Sequence, residues 1–152
     1  MSYFYKKKFL LESELKKLGF LSMMAIKIDD YDRIITTYSK KATKNIINIF
    51  DKKLRDFASF CGLEVRCLGD VCFVLFCPRH CDVEKLCAQL SSFFKGLEIT
   101  YKYNRIHIST SIGGAFGQKN VLNEALMALE FAKTHKLDYV LYSDDLGLAS
   151  KL

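Results

Sequence analysis

The chain has 152 residues, of which 50% are hydrophobic and 26% charged, with a formal net charge of +6, one proline and no tryptophan. That is one domain's worth of chain, long enough to bury about two-thirds of its unfolded surface in a single core, and without a low-complexity run it is neither fibrous nor disordered. No apolar stretch approaches the roughly 20 residues of a membrane helix, and Met1-Ser2-Tyr3-Phe4-Tyr5-Lys6-Lys7-Lys8 lacks an apolar signal core, so the expectation is a cytoplasmic protein without a membrane partner.

In chain order, Phe9, Leu10, Leu11, Leu15 and Leu18 fall near helical spacing between Lys7 and Leu18, and Gly19 stops them. Residues 1–19 therefore predict an amphipathic helix leading into an apolar strand, Phe20 to Ile28, which feeds Asp29-Asp30-Tyr31-Asp32-Arg33-Ile34. A short helix follows from Tyr31 to Tyr38, and a longer one from Thr43 to Phe60, where Ile46, Ile47, Phe50, Leu54 and Phe57 recur every three or four residues. Leu63 to Cys77 predicts a hairpin. Its first strand alternates, with Leu63, Val65 and Cys67 on one face; it turns through Leu68-Gly69-Asp70-Val71-Cys72 and returns as a run apolar on both faces, the pattern of a central strand.

Asp82 is placed to cap a helix running through Lys95, with Val83, Leu86, Cys87, Leu90, Phe93 and Phe94 facing inward. Leu97 to Tyr103 alternates, turns at Asn104-Arg105 and returns as Ile106 to Ile112, a second hairpin. Asn123 to His135 is the last long helix, Tyr139 to Tyr142 the closing strand, and 144–152 a tail or the start of a linker. The order predicts an α+β domain: a central, mostly antiparallel five-stranded sheet flanked by helices, with an extra hairpin.

Six cysteines stand at 61, 67, 72, 77, 81 and 87. No Cys-x-x-Cys pair exists, and Cys67, Cys72 and Cys77 fall within strand-like runs, so the reading is reduced core and loop thiols; Cys77-Pro78-Arg79-His80-Cys81 is the one cluster with metal-binding potential. The basic runs Lys6-Lys7-Lys8, Lys40-Lys41 with Lys44, and Lys52-Lys53 with Arg55 are explained by solvated helix faces more simply than by a nucleic-acid surface.

Four segments occur in the order found in GGDEF domains, the module of diguanylate cyclases. Lys27-Ile28-Asp29-Asp30-Tyr31-Asp32-Arg33-Ile34-Ile35 occupies the frame of the family's Asp-x-Asp-x-Phe-Lys-x-x-Asn, and Leu68-Gly69-Asp70-Val71-Cys72 that of Gly-Gly-Asp-Glu-Phe. Ser111-Ile112-Gly113 matches the family's Ser-Ile-Gly, and Ala125-Leu126-Met127-Ala128-Leu129-Glu130-Phe131-Ala132-Lys133 its Ala-Asp-x-Ala-Leu-Tyr-x-Ala-Lys. Over roughly residues 6 to 142 the chain resembles that family, which implies a nucleotide-cyclase-like fold with a ferredoxin-like core, 1–152 forming one degenerate GGDEF domain.

The resemblance also implies a chemistry against which these residues can be tested. A diguanylate cyclase joins two GTP molecules by attack of a ribose 3'-hydroxyl on an α-phosphate, each half-site lying in one of two facing domains. The developing charge is neutralised by divalent cations held by carboxylates. The family's metal carboxylates are the first Asp of the strand motif and the Glu of the turn; here Lys27 and Val71 stand in their place. An ammonium offers no oxygen to magnesium, and at about 4 Å it repels a dication by a few kcal/mol at an effective dielectric near 20.

The remaining matched positions are mixed. Asp70 keeps the turn's acid, which in the family lies beside the reacting hydroxyl, and here predicts an ion pair with Lys27. The guanine-reading Asn aligns with Ile35 and the following Asp with Lys44, which removes the hydrogen-bonding groups for the base edge. The phosphate-binding Lys survives as Lys133, but the Arg one turn later is Leu137. The inhibitory Arg-x-x-Asp is absent from its frame, Ser59-Phe60-Cys61-Gly62, and Ser2 to Lys7 retains nothing of the family's opening Asp-x-Leu-Thr-Gly-Leu-x-Asn-Arg.

The reading that follows is a catalytically inactive, GGDEF-like regulatory or interaction domain of a bacterial cyclic di-GMP signalling protein, without a cofactor. Its implied partners are EAL, receiver or sensory domains of a larger protein, or a second copy reached through Tyr3, Phe4 and Tyr5. Lys27 and Lys133 are the candidates for gripping a nucleotide phosphate directly. Two alternatives stand beside this reading. One is an active cyclase using magnesium and GTP through Asp29, Asp30, Asp32 and Asp70, although sliding the frame to suit them puts the apolar strand out of step. The other is an RNA-binding α+β domain with an open sheet face, motivated by Tyr101-Lys102-Tyr103-Asn104-Arg105 and lacking the RNA-recognition signature.

Overall fold

The computed structural model describes residues 3–19, 21–69, 71–77 and 81–143, with side chains from Lys6 onward. Asp70, the segment Pro78-Arg79-His80 and the tail 144–152 lie outside the described residues, as do the side chains of Tyr3, Phe4 and Tyr5. The elements in order are α1 (Tyr3–Leu15), β1 (Leu21–Ile28), α2 (Tyr31–Thr37), α3 (Lys40–Cys61), β2 (Glu64–Cys67), β3 (Cys72–Cys77), α4 (Val83–Phe94), β4 (Glu98–Tyr101), β5 (Asn104–His107), β6 (Thr110–Gly117), α5 (Val121–Thr134) and β7 (Tyr139–Leu141). Five strands form one sheet in the order β2-β3-β1-β6-β7, and β4 with β5 forms a separate hairpin. The mostly antiparallel sheet with an extra hairpin is thus present, β7 alone lying parallel to its neighbour.

The hairpin strand β3 is an interior strand with every residue buried, as expected, and β1 beside it stands at the middle of the sheet. It runs antiparallel to β3 from Ser22↔Cys77 to Lys27↔Cys72 and antiparallel to β6 from Leu21↔Gly117 to Ile28↔Thr110. Its residues divide by the two-residue period of a strand. Met24, Ile26 and Ile28 join Phe50 and Leu54 of α3 and Leu90 and Phe94 of α4 in one core cluster. Leu21, Met23 and Ala25 join Leu11 and Leu15 of α1 and Leu122, Ala125 and Leu129 of α5 in another. Helices therefore cover both faces of the sheet. Among the described residues, neither face of this sheet is left open for stacked bases, so the open face invoked by the RNA-binding alternative is not found.

Helix boundaries follow local chemistry. Ser39 caps α3 by accepting the Ala42 N–H at 3.1 Å, and Gly62 ends it in the left-handed region at φ 71°, so the helix starts three residues before the expected Thr43. Asp82 caps α4 as expected, accepting the Lys85 N–H at 3.2 Å. Two side-chain expectations fail at the surface: Phe93 of α4 is about half exposed, and on α1 Leu11 and Leu15 are buried while Phe9 and Leu10, with Leu18 in the turn after the helix, face solvent.

The second hairpin also differs. Its turn is at Lys102-Tyr103, with Lys102 at φ 55°, and the expected return strand breaks between His107 and Thr110. There Ile108 N–H donates to Leu97 and Asp29 N–H to Ser109, so the chain leaves the hairpin and enters the main sheet beside β1.

Helix α5 lies unusually close to that sheet. A Cβ on Gly113 of β6 would collide with the α5 backbone at Ala125 and Leu129, and one on Gly114 would come within 2.6 Å of Cys87 Sγ and 2.7 Å of Val83 Cγ1 on the other face. On the helix side, Ala125, Ala128 and Ala132 have no exposed surface. Gly113→Ala is expected to cost about 1–3 kcal/mol or more through overpacking, lowering the Tm by roughly 5 °C. A thermal melt with an unchanged midpoint would contradict this packing.

Candidate functional site

The matched motifs converge where β1 ends, β6 begins and α5 crosses them. Lys27, the next-to-last residue of β1, is paired in register with Cys72 on one side and Ser111 on the other. Strand alternation sends its side chain toward α5, where Nζ lies 3.9 Å from Glu130 Oε1. Glu130 is the partner that the structure gives Lys27; the expected partner, Asp70, lies outside the described residues. Glu130 occupies the tyrosine position of the family's helix motif. In the motif frame that the chain resembles, lysine on the strand and carboxylate on the helix above it stand where the family has carboxylate and tyrosine.

Asp29 is tied down at the end of β1. Its N–H donates to Ser109 O at 2.8 Å, and its Oδ1 accepts the Ser111 hydroxyl at 2.8 Å. Burial raises its carboxyl above the ordinary range; the Ser111 hydrogen bond opposes this, Asp30 adds to it, and Lys133 and Lys27 pull it back. Lys27, Asp29, Asp30, Ser111, Glu130 and Lys133 therefore make up one electrostatic neighbourhood. Within it two ammonium groups face three carboxylates. Beside Lys27, Cys72 is buried and its thiol is pushed up to about 11, mainly by desolvation, so it stays protonated at neutral pH.

The matched positions of the turn have structural employment, whereas three others lie at the surface. Leu68 is buried in the core on the α1/α5 side, and its N–H closes the hairpin turn onto Cys72 O at 2.9 Å. Gly69 O accepts the Cys67 thiol at 2.7 Å. Val71 is buried in the cluster on the α3/α4 side, while its carbonyl accepts the Ile28 N–H at 3.2 Å. Ile35 on α2 and Lys44 on α3 are exposed, and Leu137, exposed as well, follows the left-handed Lys136 that ends α5.

These donors do not fit magnesium. Among the described residues no group of three or more His, Cys, Asp or Glu side chains could hold a metal ion. The nearest carboxylate at the strand end, Asp29, shares one oxygen with Ser111 and stands near two ammonium groups. Glu130 is the residue that sequence reasoning missed. Its signal was an acid in an aromatic position of the helix motif, which became meaningful once α5 was placed over Lys27.

No protein-family model matches the chain, and no curated protein matches it. Solved structures do. The GGDEF domain of YfiN (TpbB) from Pseudomonas aeruginosa superposes with a TM-score of 0.75 at 16% identity, covering 88% of this chain and 94% of that one. The chain has the fold of a GGDEF domain. The GGDEF domain of DgcB from Caulobacter crescentus, solved in complex with cyclic di-GMP, gives a TM-score of 0.72 at 14% identity, covering 87% of this chain and 84% of that one. A diguanylate cyclase/phosphodiesterase structure from Caldicellulosiruptor saccharolyticus gives 0.72 at 20% identity, covering 86% and 85%. Identities this low establish a GGDEF-like fold and leave activity to the site.

Two measurements probe the electrostatics. The folded carboxyl of Asp29 titrates above its ordinary value of 3.8, so the native chain holds that proton more tightly than the unfolded chain, and the contribution of Asp29 to stability falls as pH rises from 3.8 through the folded value. Asp29→Asn retains an acceptor for Ser111 and is expected to raise the Tm at pH 7, with the gain vanishing below pH 3.8. A double-mutant cycle on Lys27→Met and Glu130→Gln is expected to give a coupling of at most ~1 kcal/mol, because both side chains reach solvent. A much larger coupling would mean that the pair is desolvated.

Proposed function

We propose that this chain is a catalytically silent GGDEF-fold domain that serves as a regulatory or interaction module in cyclic di-GMP signalling. The observation that carries this reading is Lys27, standing where the family holds a metal carboxylate and engaged by Glu130. Phosphoryl transfer of this kind depends on cations to neutralise the charge developing on phosphate and leaving group. A lysine at that point excludes the cation by charge, and Val71, buried among apolar side chains, supplies no second oxygen. Base recognition is weakened in parallel, since Ile35 offers guanine no donor or acceptor.

The same neighbourhood weakens the direct phosphate grip. Lys27 shares its charge with Glu130, and the exposed Lys133 acts on Asp29, so neither ammonium is offered to a triphosphate without a competing carboxylate. The partners that suit a silent domain are EAL, receiver or sensory domains, or a second copy; the paired cyclase and phosphodiesterase name of the Caldicellulosiruptor neighbour supports such a setting.

The test is direct. Purified protein incubated with GTP and magnesium or manganese is expected to yield no cyclic di-GMP by chromatography, and calorimetry to detect no GTP, GDP or cyclic di-GMP binding at sub-millimolar concentrations. Metal-dependent product formation that is abolished by Asp70→Ala would establish the active-cyclase alternative instead.

A further inference from the structure

At the far end of β3 from the candidate site, two thiols are held together by the fold. Cys77 closes β3, and Cys81 immediately precedes Asp82, the N-cap of α4. Their sulfurs are 2.9 Å apart, with both residues in the thiol state. An S–S bond is ~2.05 Å long, so bonding requires an approach of roughly 0.9 Å.

Ser22 of β1 fixes both partners. Across the β1–β3 ladder it pairs directly with Cys77. Its buried hydroxyl also accepts the Cys81 N–H at 3.2 Å and donates to the Cys81 carbonyl at 3.1 Å. One residue therefore sets the position of each cysteine backbone, and much of the entropy of bringing the sulfurs together is already lost on folding.

We infer that Cys77 and Cys81 form a reversible dithiol–disulfide couple, a peroxide-sensitive modification site at the joint between β3 and α4. Accessibility assigns the order of events. Cys77 is buried, whereas Cys81 is half-buried and lines a cavity of about 390 Å³ with Val83, Gly114, Phe116 and Tyr142. Hydrogen peroxide oxidises the accessible Cys81 to a sulfenic acid, releasing one water. The Cys77 sulfur then attacks the sulfenic sulfur, the S–S bond forms and a second water leaves; a low-molecular-weight thiol returns the pair to its reduced form. Among the other thiols, Cys67 is engaged with Gly69 O, and three more are poorly placed to compete. Burial raises the thiol of Cys61, and pushes Cys72 up to about 11 and Cys87 up to about 12.

The full chain treated with stoichiometric hydrogen peroxide, alkylated and digested with trypsin without reduction tests this. Thiols titrated under denaturing conditions are expected to fall by two from six. Cleavage after Arg79 leaves Cys67 to Arg79 joined to His80 to Lys85 as a species that reductant separates, and fragmentation is expected to find Cys67 and Cys72 alkylated and the bond on Cys77 and Cys81. Cys77→Ser is expected to leave a Cys81 sulfenic acid that dimedone captures, and Ser22→Ala to slow bond formation severalfold without changing its product. Six intact thiols after treatment, linkage of either cysteine to a different one, or a tightly held zinc ion that must be chelated before oxidation proceeds would overturn the inference.

Discussion

The distance at which α5 rides on the central sheet governs the geometry of the candidate site. Gly113 presents bare backbone to the helix, and Ala125, Ala128 and Ala132 answer it with the smallest side chains that sustain a helix. Because interiors are packed at near-crystalline density, that approach admits little slack. It places Glu130 within ion-pair distance of Lys27 and brings Lys133 close enough to act on Asp29. The Ser-Ile-Gly segment serves the same end residue by residue: Ser111 holds Asp29, Ile112 fills the opposite core, and Gly113 admits the helix.

On that frame the charges are rearranged. A cyclase concentrates carboxylates at the end of its first strand so that cations, and through them phosphates, are attracted there. Here the strand end carries a lysine, and the helix above it carries the compensating carboxylate. The arrangement is coherent, because Glu130 adds a carboxylate within ion-pair distance of an ammonium that otherwise has only Asp29 near it. Val71 has moved into the core on the α3/α4 side, where its isopropyl group contributes apolar burial.

Much of the fold was legible because strands advertise themselves by a two-residue period and helices by cap chemistry. The first strand, the Leu63–Cys77 hairpin and the Asp82 cap were all readable in this way. The failures have local causes. Lys102 adopts a left-handed turn conformation that lysine seldom announces, so the second hairpin was turned two residues late. Phe93 has helical spacing for the core yet stands at the rim of the α3/α4 contact, its ring 5.4 Å from Phe57. At the site, Lys27 and Val71 were legible as departures from the motif frame, whereas the contact of Lys27 with Glu130 was not. A contact between residues 103 positions apart leaves no periodic trace.

The central claim is that Lys27 with Glu130 excludes a divalent cation from the end of β1. Titration of manganese into the protein with bound-ion detection by electron paramagnetic resonance, with and without GTP, addresses it most directly. The account predicts a free-ion spectrum throughout the sub-millimolar range. One manganese ion bound per chain, with accompanying relaxation of the Asp29 and Ser111 amide signals, would contradict it.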